Sequence, residues 1–278
     1  MDFLINIFPL IIMLMCSGAV AGFMAGLLGI GGGLILVPSL YYIFGIYQND
    51  MGFDPAYLMH ISVGTSLSSI IFTGASSSFA HYKKGSVDFT SVQNIGFGII
   101  CGAVLAAWFA KGLDSNQMRL IFASIILVLA IIMILDLKRI PPKSKEPHKL
   151  FDGLAGVAIG FIAALAGIGG SVLSVPYMSL RGISIHRAVG TASALGVIIA
   201  LFGAVGFVVI GAGQANLPPF SLGYVNFIAL PSIVITSVIF APIGVHAAHK
   251  MSVSKLKVIF VIFMMIIALN VWRGYLFG

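Results

Sequence analysis

Long apolar runs are the feature that most limits what this chain can fold into. Several of them reach the ~20 residues that a helix needs to cross a bilayer. Ten apolar segments can be drawn, over residues 3–28, 33–47, 59–80, 89–110, 117–137, 150–166, 171–181, 187–212, 222–247 and 256–277. Only 8% of the residues are charged, whereas a soluble domain carries roughly 25%. The sequence therefore predicts an all-α, polytopic helical membrane protein.

The chain consists of two related halves. The stretch from Gly29 to Gly33, followed by Pro38, recurs as the stretch from Gly167 to Ser171, followed by Pro176. The motif His-x-x-Val-Gly-Thr also occurs twice, at residues 60–65 and 186–191. We therefore predict an N-terminal membrane repeat over residues 1–137 and a C-terminal one over residues 150–278. They are joined by the polar linker 138–149 into one transmembrane domain.

The basic residues predict how the halves cross the membrane. Lys and Arg are concentrated in the linker and in short loops, where such residues favour the cytoplasmic side. With the linker in the cytoplasm, both termini lie outside and the halves enter from opposite sides, as inverted repeats with discontinuous or re-entrant helices do. Segments 33–47 and 171–181 are short at 1.5 Å per residue. Each is open to two interpretations, a half-helix or a short span.

The two glycine stretches predict a binding site. A glycine cluster interrupts a helix and leaves N–H groups without intrahelical partners, and a helix N-terminus favours an anion. Two such breaks in matching positions are typical of a transporter's site near the midplane. The candidate residues are Gly29, Gly31, Gly32, Gly33, Gly167, Gly169, Gly170 and Ser171. The alternative is close helix packing, which we favour for the Gly-x-x-x-Gly pairs Gly22/Gly26, Gly98/Gly102 and Gly156/Gly160.

Hydroxyl and ionisable side chains near these breaks complete the candidate site. Thr65, Ser66, Thr191 and Ser193 could donate to an oxyanion, although such hydroxyls also bond their own backbone or a neighbouring helix. His60 and His186 are equivalent by the repeat and are candidates for gating or protonation; the alternative is an interfacial residue or a helix cap. Asp88 is the further candidate for protonation, but a helix-end carboxylate is the more usual role, and its repeat partner is Asn226.

Other chemistry has no sequence signal. The chain carries no metalloprotease motif, P-loop or nucleophile elbow, and we predict no catalytic residues, no metal and no cofactor. The net charge of +7 is explained by topology-setting loops, so nucleic acid is not an expected partner. The lipid bilayer is an expected partner. The Gly-x-x-x-Gly pairs permit either packing within one chain or a homodimer.

The repeated motifs make the chain similar to a known family. Two copies of Gly-x-Gly-Gly-Gly/Ser followed by Pro, each followed by His-x-x-Val-Gly-Thr, resemble the sulfite exporter TauE/SafE family over about residues 10–275. The resemblance implies a secondary transporter, generally of the bacterial inner membrane, for small sulfur-containing anions such as sulfite, sulfonates or thiosulfate. Which anion moves, in which direction and with what coupling ion stays open.

A passive anion channel and a non-transporting membrane subunit of a sulfur-metabolising complex are the alternatives. A channel could share the same pore lining, and a subunit needs no substrate site at all. A cation carrier is less favoured, because no carboxylate falls in the middle of a predicted span.

Overall fold

The computed structural model describes residues 2–28, 32–134, 149–249 and 253–276. Within them the chain forms ten α-helices, one for each predicted apolar segment. They are α1 (Asp2–Leu28), α2 (Gly33–Met51), α3 (Leu58–Lys83), α4 (Phe89–Ala110), α5 (Ser115–Ile134), α6 (Lys149–Leu165), α7 (Ser171–Leu180), α8 (Ile185–Gly211), α9 (Ala229–His249) and α10 (Val253–Leu276). The predicted all-α fold is confirmed; linker residues 138–148 lie outside the described residues.

One helix begins later than its apolar run predicts. Segment 222–247 was expected to be helical throughout, but its first residues form a two-stranded antiparallel ribbon, β1 (Ser221–Leu222) with β2 (Val225–Asn226). Gly223 forms the turn between the strands with a φ of +54°. Asn226 then starts α9, because its Oδ1 accepts the N–H groups of Ile228 (3.1 Å) and Ala229 (3.0 Å).

The fold is an integral, multi-pass membrane domain. Among the described residues, five helices are long and apolar enough to cross a bilayer. Their outward faces carry large apolar side chains, such as Phe97 at 75% and Trp108 at 73% exposure. Such a surface would be an aggregation hazard in water and suits contact with lipid.

The helix pairing repeats between the two halves. Helix α1 packs against α9, and α4 packs against α6, while α3 packs against α8 between them. By the predicted repeat, α1 corresponds to α6 and α9 to α4, so the first two pairs would be the same contact made twice. Both use small residues: a β-carbon at Gly22 would collide with the backbone of Ser237, and one at Gly160 with the backbone of Ile99. The packing interpretation of these glycines is confirmed.

Helices α6 and α7 form a helical hairpin with the second glycine break at its tip. Asp152, in the first turn of α6, forms an ion pair with Arg181, which follows the last residue of α7. The start of α6 and the end of α7 therefore lie on the same side of the domain. At 1.5 Å per residue, the ten residues of α7 span about 15 Å, half of the bilayer core. The length of α7 favours a half-helix for segment 171–181, whereas the longer α2 can span.

Candidate functional site

The second glycine break is a buried junction between two helices. Gly167, two residues after the end of α6, has a φ of +64°, a conformation that favours glycine. The N–H of Gly167 donates to Ala164 O and that of Ile168 to Ala163 O, which closes the last turn of α6. Gly170 then precedes α7 as its N-cap, and residues 163–170 are all buried. Since glycine has no side chain, the N-terminus of α7 keeps N–H groups for another acceptor.

The first turn of α2 lies directly against this second break. A β-carbon at Gly33 would collide with the carbonyl oxygen of Gly167 and would stand 2.9 Å from Ile168 Cα. Gly32 is the N-cap of α2, as Gly170 is of α7. Gly29 and Gly31 lie outside the described residues. For the described part of the breaks, the N-terminus of α2 and the α6–α7 junction are therefore in contact.

Thr65 and Thr191, which are equivalent by the repeat, each accept the same kind of hydrogen bond. The backbone N–H of Asn226 donates to Thr65 Oγ1 (3.0 Å), and the N–H of Asp88 donates to Thr191 Oγ1 (2.9 Å). Asn226 and Asp88 are themselves equivalent by the repeat. Thr191 also donates its hydroxyl hydrogen to Arg187 O (2.7 Å). These threonines tie α3 and α8 to the segments that start α9 and α4.

Replacing Thr65 by valine should lower the free energy of unfolding by about 1–3 kcal/mol. Valine keeps the shape of threonine but leaves the N–H of the fully buried Asn226 without an acceptor. Thr73→Val is the matched control, because Thr73 bonds only carbonyls of its own helix, at 3.3 and 3.5 Å. Chemical unfolding of the two variants in detergent measures the difference, and equal losses would contradict the role given to Thr65.

The two serines of the candidate set are also engaged by the protein. Ser66 donates to Gly167 O (2.9 Å), which fixes α3 to the second break. Ser193 donates to Val189 O (3.0 Å) and lies 3.4 Å from Ser77 Oγ. Ser66 therefore lies at the break itself, while Ser193 lies on the side of α8 that faces α3.

The two equivalent histidines have opposite environments. His60 is 2% exposed, and its Nε2 lies 3.0 Å from Ala110 O. Its ring packs on Tyr224, with 4.9 Å between centroids, and its Nδ1 has no hydrogen-bond partner among the described residues. Burial raises the pKa of Tyr224 to about 12, with a smaller contribution from Tyr57, so this phenol stays neutral. His186, in contrast, is exposed.

Asp88 lies at the start of α4, as a helix-end carboxylate does. It accepts a hydrogen bond from Ser91 Oγ (2.9 Å) and lies 3.6 Å from Arg187, whose side chain is largely exposed. A negative charge at a helix N-terminus is favourable. The contact with Arg187 also joins the start of α4 to the start of α8.

Two features were missed by the sequence analysis. Ser174 is fully buried, and its hydroxyl has no hydrogen-bond partner among the described residues. Asp152 is buried against Arg181 and accepts the hydroxyl of Tyr177 at 2.6 Å. The spacing of Ser171 and Ser174 places both on one face of α7, but no sequence signal shows that the hydroxyl of Ser174 is left unbonded. Asp152 stands at the start of an apolar run, where an acidic residue can be either exposed or paired, so its buried contact with Arg181 could not be predicted.

Metal-binding side chains are not brought together in the described part of the chain. No group of three or more His, Cys, Asp or Glu side chains there could hold a metal ion.

Comparisons with known proteins point to membrane transport. A family model described as sulfite exporter TauE/SafE matches residues 14–271. A probable membrane transporter protein of Haemophilus influenzae is 34% identical over 265 residues, covering 95% of this chain and 99% of the relative. A probable membrane transporter protein of Methanocaldococcus jannaschii is 25% identical, covering 88% of this chain and 89% of the relative. No solved structure matches the chain.

Proposed function

The chain belongs to the sulfite exporter TauE/SafE family of membrane proteins, and from this we propose that it is a secondary transporter of a small sulfur-containing oxyanion. The sulfite, sulfonate and thiosulfate class is the substrate class that the family name favours. We place the chain in the bacterial inner membrane, with both termini outside and the central linker in the cytoplasm. Its role is that of a carrier and not of an enzyme.

The observation that carries this proposal is the contact between the two glycine breaks. The first turn of α2 at Gly33 meets the α6–α7 junction at Gly167, and the N-terminus of α7 begins at the buried Gly170. Helix N-termini supply N–H groups and the positive end of the dipole without a buried lysine or arginine. In the membrane interior such a junction is tolerated where protein or a cavity surrounds it. An anion is the ligand that this polarity suits.

The hydroxyl candidates take a supporting role in this proposal. The hydrogen of Thr191 is already donated to Arg187 O, and that of Ser66 to Gly167 O. A donated hydrogen is not free for an anion unless its present bond breaks. We therefore assign Ser66, Thr191 and Ser193, whose hydrogens are donated within the protein, to positioning the helices around the breaks. Thr65 takes the same role by accepting the N–H of Asn226.

The two ends of α3 differ in exposure, as do the two equivalent histidines, and these differences support alternating access. Residues Leu58–Ile70 of α3 are all buried, whereas Phe72, Ser76 and Ser77 beyond them are exposed. By the predicted topology, the buried half of α3 lies toward the outside and the exposed half toward the cytoplasm. His60 fits a closed outer gate, with the ring of Tyr224 packed against it, and the exposed His186 fits an open inner one. Asp88, paired with Arg187, lies at that inner end.

A mostly apolar groove on the same side lies near the second break. It has a volume of about 350 Å³ and lies between α3, the start of α4 and α8, where Ala75, Phe79 and Val197 line it. Gly196, the neighbour of Val197, faces the second break: a β-carbon there would stand 3.7 Å from Gly170 N. The groove therefore reaches α8 where α8 packs against the break.

Anion binding to the purified chain tests the proposal. Sulfite, thiosulfate, sulfoacetate, sulfate and chloride are compared by thermal shift, because a ligand that binds only the folded state raises its apparent stability. We expect one sulfur oxyanion to stabilise the protein more than chloride or sulfate does. Counterflow in proteoliposomes then separates a carrier from a channel, since a passive pore has no trans-stimulation. No stabilisation by any anion would overturn the proposal, and transport without counterflow would favour the channel.

A further inference from the structure

Ser174 lacks the intramolecular hydrogen bond that most buried serines in the described helices make, and so does Ser179. Serine in a membrane helix usually satisfies its hydroxyl by donating to the carbonyl four residues earlier. Five serines here do so: Ser62, Ser68, Ser124, Ser193 and Ser232. Ser174 is 0% exposed, and its hydroxyl has no partner among the described residues. A buried hydroxyl left unbonded destabilises a fold by about 1–3 kcal/mol, so its retention calls for a cause.

The reason lies in the carbonyl that Ser174 would otherwise use. Four residues earlier stands Gly170, whose carbonyl oxygen already accepts the N–H of Leu173 (3.2 Å) and of Ser174 itself (2.8 Å). A carbonyl oxygen has two lone pairs, and both are engaged at this helix start. The tight first turn of α7 therefore leaves the hydroxyl of Ser174 free to bond something else.

The free hydroxyl lies beside Gly170, at the start of α7. Ser174 Oγ stands 3.5 Å from the point that a β-carbon of Gly170 would occupy. Ser171, one turn earlier on the same face of α7, is also buried. Ile199 of α8 packs its apolar side chain beside Gly170, and Gly170 itself is buried. A donor in a dry site is worth more to a charged ligand than the same donor in water.

The corresponding positions of the first repeat carry no hydroxyl. Ser171 and Ser174 correspond to Gly33 and Leu36, and Leu36 is buried in the core. The two helix N-termini at the site are therefore chemically different. The α7 side offers hydroxyl donors together with its backbone N–H groups, and the α2 side offers backbone alone.

We propose that Ser174 is a substrate-binding residue, whose hydroxyl donates a hydrogen bond to an oxygen of the bound anion at the N-terminus of α7. This role rests on the proposed anion site between the glycine breaks. It makes the site asymmetric: the charged oxygens of the ligand lie on the α7 side, and the α2 side closes over the remainder. The anion then stays with α7 and the C-terminal repeat when the repeats move.

Ser174→Ala tests this role, with Ser179→Ala as the matched control. Ser179 lies on the same helix, and its hydroxyl is also buried without a partner among the described residues. It is, however, about 13 Å along the axis from Gly170 at 1.5 Å per residue. Sulfite, thiosulfate and sulfoacetate are titrated into each purified full-length variant, and apparent affinity is read from the thermal shift.

We expect Ser174→Ala to weaken binding of the preferred anion by about 10-fold to 100-fold, as losing a hydrogen bond to a charged group does. Stability without anion should be unchanged or higher, because an unbonded buried hydroxyl is removed. Ser179→Ala should share the second effect and not the first. Ser174→Cys, with a weaker donor of similar size, should bind with intermediate affinity.

The failures are distinguishable. If the wild-type chain is stabilised by an anion and Ser174→Ala binds it equally well, Ser174 is not a ligand, while the proposed transporter stands. Equal losses of affinity in Ser174→Ala and Ser179→Ala would overturn the role as well, because they would indicate a general effect on α7. A wild-type chain that no anion stabilises overturns the proposed function and the role of Ser174 together.

Discussion

Replacing Gly33 by alanine should reduce anion transport by about tenfold or more. The new β-carbon would collide with the carbonyl oxygen of Gly167 and would lie only 2.9 Å from Ile168 Cα and Ile70 Cδ1. Two of these three neighbours are backbone atoms, which cannot rotate away as a side chain does. Overpacking a tight core costs about 1–3 kcal/mol. Here the strain would fall on the contact between the two glycine breaks and would separate the N-termini that the anion needs.

Gly45→Ala is the control for that substitution. Gly45 lies on the same helix, α2, and nothing stands within 4 Å of the β-carbon that alanine would add. Both variants are reconstituted into proteoliposomes at equal protein content, and uptake of the anion that best stabilises the wild-type chain is compared. We expect Gly45→Ala to transport like the wild type. Full transport by Gly33→Ala would mean that the contact between the breaks is not part of the substrate site.

The fold was largely predictable because the membrane simplifies the problem. Within lipid, a helix satisfies the polar N–H and C=O groups of the backbone by hydrogen bonds inside the segment, so runs of apolar side chains map onto helices almost directly. The ten segments and the ten helices agree for this reason. The predicted start of α9 was too early for a local reason. Tyr224 and Val225 are apolar, but Gly223, with its positive φ, turns the chain into a two-stranded ribbon, and Asn226 caps the helix only after that ribbon. Hydropathy does not detect such a turn.

The candidate site was predictable only in part. Glycine stretches mark a helix break in sequence, so the regions around Gly33 and Gly167–Ser171 could be found. The free hydroxyl of Ser174 could not, because it depends on two hydrogen bonds to Gly170 O that exist only once α7 is folded. The difference between His60 and His186 is also invisible in sequence, since the same motif is buried in one half and exposed in the other.

Asp152→Ala is expected to be the most destabilising single change in the α6–α7 hairpin. The side chains of Asp152 and Arg181 are 7% and 19% exposed, so removal of the carboxylate leaves a guanidinium largely buried without its counterion. Breaking a buried ion pair in this way costs about 3–5 kcal/mol. The hydroxyl of Tyr177 loses its acceptor as well. The hairpin that holds the N-terminus of α7 at the second break would then lose the tie between its two ends.

Two further variants distinguish the effect of removing a charge from the effect of losing the contact between the ends of α6 and α7. Asp50→Ala makes the same change at an exposed position of α2 and should alter stability by less than about 0.5 kcal/mol. Asp152→Leu combined with Arg181→Met removes both charges and fills the space with apolar side chains, a replacement that is often neutral or stabilising for buried pairs. Unfolding by denaturant in detergent, followed by proteoliposome transport, is measured for all three.

The combination of outcomes decides what the ion pair does. If the double variant regains stability and transport, the pair serves to hold the ends of α6 and α7 together, and any well-packed contact can replace it. If it regains stability without transport, the charges themselves take part in the transport cycle, since folding alone would then not restore function. A stability of Asp152→Ala equal to that of Asp50→Ala would contradict the tie, and α7 would have to be held at the break by its packing against α8.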